Sequence, residues 1–334
     1  ATGMSEAQLA AVHDAAGTAD NGDGIAKIAT NGITGDLAIS TAGLTEVEIN
    51  GLLGKASTTA TVTVDAVGMS SDELQDLHDN IAKIDSITNA TVTTTEEAAE
   101  IGSILSKATD ATVTATSMTA AELTAVADNI GNVAALGLGT TLTLTSAQSV
   151  DEISALMGTA TTDNNVAVVA TGMSALQLNA VAAEIAEVGA ITGALDGLTS
   201  GVTASDIATL FGQYTGTTAA VLATGMTSAQ LTAIDAGDVA ADGVTGTFTV
   251  ASDVASAQIN AVLAKTATGA TVTVNAATMD AAQKGVVEDN IAKVDTLTNL
   301  TLASSEDATE IAALLSSLAV PPTSVNVVAT GMSE

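Results

Sequence analysis

The residues of this 334-residue chain best suited to chemistry lie in DNGDG (Asp20 to Gly24), in two His–Asp pairs, and in rows of alternating threonines. In DNGDG, Asp20, Asn21 and Asp23 offer hard oxygens beside a glycine that permits a sharp turn, the ingredients of a calcium loop. The spacing is not that of an EF-hand: with Gly24 as the invariant glycine, position one falls on Ala19. A polar surface loop is the competing reading, and calcium is the one cofactor the sequence suggests. A second break, DAGDVAADG, sets Asp235, Asp238 and Asp242 in a similar run. His13 and His78 each precede an aspartate, Asp14 and Asp79, as a general base would. Other repeats carry Ala127 and Glu288 at that place, so helix-surface histidines are expected instead. DNIAK (Asp79 to Lys83, Asp289 to Lys293) reads as helix interior, its Ile in the core and its Asp and Lys paired at i, i+4 on the surface.

An enzyme needs a nucleophile, a base and oxyanion donors in one place, and no such set can be assembled from these residues. Phosphate-binding glycine motifs and paired-histidine metal motifs are absent from the sequence. A non-enzymatic protein is therefore expected, with no catalytic residues. Threonines recur as Thr61/Thr63, Thr91/Thr93/Thr95, Thr112/Thr114/Thr116, Thr141/Thr143/Thr145 and Thr271/Thr273. They resemble the flat arrays of ice-binding β-solenoids, although threonine also simply suits a solvated strand face. Asn89 and Asn299 head N-x-T sequons.

The elements that hold these residues come from an unusual composition. There is no Cys, Trp or Arg, one Tyr, two Phe and two Pro. A core without rings must be assembled from small aliphatics that bury little area each, which favours many thin layers over one large core. Seven basic residues face 38 acidic ones for a formal charge of −31. Phosphate backbones and anionic membranes attract clustered Lys and Arg, so neither is an expected partner. No apolar run is long enough for a membrane span, and no signal peptide is visible.

A methionine marks each period, at Met4, Met69, Met118, Met173, Met226, Met279 and Met332, at intervals of 65, 49, 55, 53, 53 and 53 residues. Such self-similarity signals a repeat architecture. Each of the first six markers leads into Ser, Thr or Asp followed three residues later by Glu or Gln, the capping box of a helix start or its Asp variant. Apolar residues then recur at helical spacing, as in Leu74, Leu77, Ile81 and Ile84. A second helix is marked by triads such as Ile49/Leu52/Leu53, Ile101/Ile104/Leu105 and Ile311/Leu314/Leu315. Alternating segments precede the helices: ATVTV (Ala60 to Val64), ATVTT (Ala90 to Thr94), ATVTA (Ala111 to Ala115), TLTLT (Thr141 to Thr145), TFTV (Thr247 to Val250) and ATVTV (Ala270 to Val274).

The expected fold is α/β: a repetitive strand–helix–strand–helix solenoid with parallel strands and about 53 residues per repeat. One continuous array over residues 1–334 divides approximately at 4–68, 69–117, 118–172, 173–225, 226–278 and 279–331. Right-handed crossovers put the helices on one face and leave the threonines on the other. Helices pack roughly 8–10 Å apart and strands about 4.8 Å, so curvature is expected. Lys284 stands where the first helix of the last repeat should carry Leu, which predicts a frayed or shifted start, and the fourth repeat blurs its second strand at Leu195 to Thr199. The opening ATGMSE returns at Ala329 to Glu334, as in a window cut from a longer array.

The ATGMS openings, DNIAKVD (Asp289 to Asp295), TLTLTSAQ (Thr141 to Gln148) and the acidic, Cys-free, Ala/Thr-rich composition resemble the repeat regions of giant cell-surface proteins of marine cyanobacteria, including the swimming-motility class. That resemblance implies a segment of a long extracellular filament or cell-surface layer that self-associates along a fibre. No catalytic motif travels with it. The alternative is a binding module whose threonine face takes ice, mineral or glycan.

Overall fold

The computed structural model describes residues 1–14, 24–137, 142–160, 166–302, 307–316 and, as backbone, 325–327. The ATGMS motif proves to be a turn joined to a helix cap. The methionine N–H donates to the carbonyl of the alanine three residues back at Met4, Met69, Met118, Met173, Met226 and Met279. In most repeats the residue before the methionine is left-handed, a type II arrangement that favours glycine, as at Gly225 (φ 73°). Ser117 takes the same conformation with a side chain, at φ 63°. The next residue is the cap. Ser70, Thr119, Ser174, Thr227 and Asp280 each exchange hydrogen bonds with the Glu or Gln three residues on, and Ser5 does so with Gln8.

Two compact units divide the chain, Ala1–Ala167 and Val168–Glu334. In the first, the order is α1 (Glu6–Asp14), β1 (Asp36–Ser40), α2 (Glu46–Lys55), β2 (Thr61–Asp65), α3 (Ser71–Asp79), β3 (Ser86–Thr88), β4 (Thr91–Val92), α4 (Ala98–Lys107), β5 (Ala111–Val113), α5 (Ala120–Asp128), β6 (Val133–Leu136), β7 (Leu142–Leu144) and α6 (Val150–Thr159). A strand β8 (Val166–Val169) lies across the boundary. Sheets β1-β2-β3 and β4-β5-β6 are parallel. In the β1–β2 pair Leu37 faces Val62 and Ile39 faces Val64, all buried, while Asp36, Thr61 and Thr63 are exposed.

In the second unit follow α7 (Ala175–Ala183), β9 (Val188–Thr192), α8 (Ala204–Gln213), β10 (Ala219–Leu222), α9 (Ser228–Ala233), β11 (Val239–Thr245), β12 (Thr247–Ala251), α10 (Ser256–Ala264), β13 (Thr271–Asn275), α11 (Ala281–Asp289), β14 (Thr296–Thr298), β15 (Leu300–Leu302), α12 (Ala308–Ser316) and β16 (Val325–Val327). Its sheets β10-β11, β12-β13-β14 and β15-β16 are parallel as well. Helical crossovers between successive strands impose that direction. The α/β class with parallel strands is thus present in both units. No helix among the described residues is long and apolar enough to cross a membrane.

The core of each unit is the layer where the second-helix triads meet the strand valines. Ile49, Leu52, Leu53, Ile101, Ile104, Leu105, Ile207 and Leu210 are fully buried. Each such side chain contributes about 1.5–3 kcal/mol relative to exposure. The last triad departs from this: Leu314 is buried, but Leu315 is 42% exposed.

The expected first helix, running through Ile81 to Ile84, is corrected by the structure. It ends at Asp79, and Asn80 breaks it with φ −109°. A 3-10 turn (Ile81–Lys83) follows, with Ile81 only half-buried, and Ile84 is already extended. The turn leads into a third strand that the sequence reading missed, β3, and its counterparts β6, β9, β11 and β14. Thr88 and Thr91 therefore belong to different sheets, and the expected strand at Ala90 to Thr94 shrinks to Thr91–Val92. The corner between them is Asn89, left-handed at φ 55°; Gly246 (φ 86°) and Asn299 (φ 53°) turn the same corner in the second unit.

Lys284 does not fray its helix. α11 starts at Ala281 with a complete capping box, and Lys284 is buried with Nζ donating to the Thr301 carbonyl at 2.6 Å. Its long apolar stem covers the place of the missing leucine while the ammonium finds an oxygen. At Leu195 to Thr199 the blurred strand leaves one bridge, Leu198 to Val221.

Candidate functional site

Asp20, Asn21 and Asp23 lie outside the described residues. His13 is not the surface histidine expected from its helix position. It is the penultimate residue of α1, 1% exposed, and its Nδ1 lies 2.8 Å from Asp14 Oδ1. The ring packs against α2 at Gly51, where any Cβ would come within 2.7 Å of the imidazole. Glu48, 4% exposed, sits at the third position of α2, where Oε2 accepts from Thr45 N and Oγ1 at 2.7 and 2.9 Å. One ligand atom each from His13, Asp14 and Glu48 lies within 4.8 Å of the others.

The next repeat carries the same three residue types at the same places, His78, Asp79 and Glu100, yet they do not come together in that way. Ser103 replaces Gly51 there, and its Oγ engages His78 Nδ1 at 2.7 Å. Asp79 turns outward and accepts from Gln75.

DNIAK is not a helix interior, and its lysine does not pair with its aspartate. Lys83 Nζ donates to the carbonyls of Leu53 and Gly54, at 2.9 and 2.7 Å, at the end of α2. A cation there also opposes the negative end of the helix dipole. Asn132 donates to Leu105 O in the corresponding place, and Lys293 to Thr266 O just beyond α10. Asn290, like Asn80, closes its helix by donating to the carbonyl four residues back.

Gln230 and Gln283 form a second set of links. Each amide oxygen completes a capping box, while each amide nitrogen donates to two carbonyls in the turn before the preceding helix: Ser200 and Val202 for Gln230, Ser252 and Val254 for Gln283. Pooling Glu and Gln as equivalent caps hides this, since only Gln has the donor.

The threonine face is solvated in part. Thr247, Thr249 and Thr271 are exposed, with Thr247 opposite Thr271 and Thr249 opposite Thr273, which in turn faces Thr296. Thr112 and Thr114 are half-buried, and Thr141 lies outside the described residues.

Two carboxylates sit among the helices at a cost. Burial, then the neighbouring charges of Glu46, Asp79, Asp72 and Glu73, push Asp76 up to about 6. Burial and Glu96 raise Glu100. In the second unit, α9 stops after six residues, so α8 and α10 flank a groove of about 540 Å³ with Phe211, Ile234, Asp235 and Gln258 in its wall.

No family model matches the chain, and no curated protein matches it. Among solved structures it is similar to the crystal structure of the Rad7 and Elc1 complex in yeast, at 12% identity over 90% of this chain and 83% of that chain, with a TM-score of 0.24. A likeness at that score carries no functional argument.

Proposed function

We propose that the chain is a non-enzymatic structural protein, a segment of a long extracellular filament or cell-surface layer, wound as a solenoid of about 53 residues per repeat. The observation that carries this reading is where its recurring polar side chains go. Lys83 and Asn132 cap a preceding helix, Lys293 holds the carbonyl just beyond one, and Gln230 and Gln283 hold a preceding turn. These groups join one layer to the next and leave the interior to aliphatic packing, as a repeat stabilised by nearest-neighbour contacts requires. The acidic, Cys-free composition and the resemblance of its motifs to marine cyanobacterial surface repeats support an extracellular place. A second reading, a module whose threonine face takes ice, mineral or glycan, is favoured by the exposed grid at Thr247, Thr249 and Thr271.

Sedimentation at rising ionic strength tests self-association. With a charge of −31, copies repel at low salt; at about 1 M salt the screening length falls to about 3 Å and contact becomes possible. Concentration-dependent association that grows with salt is the expected result. A chain that stays monomeric throughout contradicts the filament and brings the threonine face forward.

A further inference from the structure

We propose that His13, Asp14 and Glu48 bind a first-row divalent transition-metal ion, with zinc the representative probe. Two carboxylates and an imidazole share one mostly buried place, a donor set that transition-metal ions take. The ligand set selects the kind of ion: imidazole with carboxylate suits zinc and its neighbours, whereas calcium takes oxygen alone. At metal–ligand lengths of about 2.0–2.1 Å, tetrahedral ligand atoms stand roughly 3.4 Å apart. A span of 4.8 Å therefore closes with side-chain adjustments of about 1 Å. Glu48 can hold the cap through Oε2 and offer Oε1 to the ion.

The second repeat is an internal control. His78, Asp79 and Glu100 repeat the residue types, but Ser103 engages the imidazole and Asp79 faces outward. Gly51 makes the difference, because only a residue without Cβ lets the His13 ring seat against α2. The bound ion would tie the end of α1 to the start of α2, a link that neither the composition nor the repeat grammar implies.

Titration calorimetry with zinc chloride, over a magnesium background that occupies the acidic surface, tests the site on the whole chain. One saturable site and a zinc-dependent rise in melting temperature are expected. His13→Ala and Glu48→Gln should each weaken binding at least ~10-fold, on the scale seen when metal-site groups are removed. Both replacements mimic residues the fold uses at corresponding places, Ala127 and Ala182 for His13 and Gln258 for Glu48. His78→Ala should leave binding unchanged. Absence of a saturable site, equal binding by His13→Ala and Glu48→Gln, or loss on His78→Ala alone would overturn the assignment.

Discussion

Replacing Asp76 with alanine should be more favourable at pH about 8 than near pH 3, by on the order of 2–3 kcal/mol. Asp76 lies on α3 with 8% exposure; its Oδ1 accepts from Asn50 at 2.6 Å, and its Oδ2 is buried with no hydrogen-bond partner. Burial and four neighbouring acidic residues raise it from the ordinary 3.8 to about 6. Below the ordinary value both folded and unfolded chains hold the proton, so its ionisation has no effect on stability and the variant differs only by the lost Asn50 hydrogen bond, about 1 kcal/mol. Between about 4 and 6 the unfolded chain releases its proton first, and above about 6 the native state carries the full penalty of the charge. The natural chain therefore gains stability as pH falls through this window, and the variant loses that gain. Ala125 and Ala180 occupy the corresponding place in later repeats, so the replacement fits the fold. Thermal melts of both chains across pH measure the difference. Parallel curves at all pH values would mean that Asp76 titrates as an ordinary surface group.

Gln283→Glu should be the more damaging of two changes at one position. Gln283 is 7% exposed, and its amide nitrogen donates to Ser252 O and Val254 O at 2.9 and 2.7 Å. Alanine would remove the cap and leave two carbonyls without their donor, at about 2–3 kcal/mol. Glutamate would keep the cap but set a carboxylate against those same oxygens, costing about 3 kcal/mol or more at neutral pH and less once protonated. Glu73→Gln is the control, because Glu73 Oε2 serves only the Ser70 cap; a change within about 0.5 kcal/mol is expected. Denaturant melts of the three variants decide it. A Gln283→Glu chain as stable as the natural one would show that the link to the preceding turn contributes nothing.

Much of this architecture could be read from periodic signals. The capping boxes, the Ile-led apolar triads and the Val-in, Thr-out strands are local patterns with local causes; the exceptions include the last triad, with Ile311 half-buried and Leu315 exposed, and the strand expected at Ala90 to Thr94, which shrinks to Thr91–Val92. What escaped had the same periodicity but a different cause. Ile81 falls on the helical stripe, yet Asn80 ends α3 because its side chain takes the carbonyl of Asp76. A 3-10 turn then redirects the chain into a strand too short to announce itself. The left-handed corner at Asn89 was equally visible as a residue but not as a conformation, since Asn also suits many other turns.

The candidate site was legible only in fragments. His13 and Asp14 attracted notice as a pair, but Glu48 is 34 residues away and reads as a helix cap like many others. Their convergence depends on Gly51, whose importance shows only when the His13 ring is placed against it. The i, i+4 spacing in DNIAK suggests a pair on one helix, whereas both lysines follow the break: Lys83 reaches the end of α2 and Lys293 the carbonyl just beyond α10.

Electron microscopy of the chain in concentrated salt distinguishes a filament-forming protein from a solitary one. A structural filament gives continuous fibres whose axial repeat matches successive copies of the six-repeat segment. Separate particles of single-chain size, unchanged by concentration or salt, would contradict it.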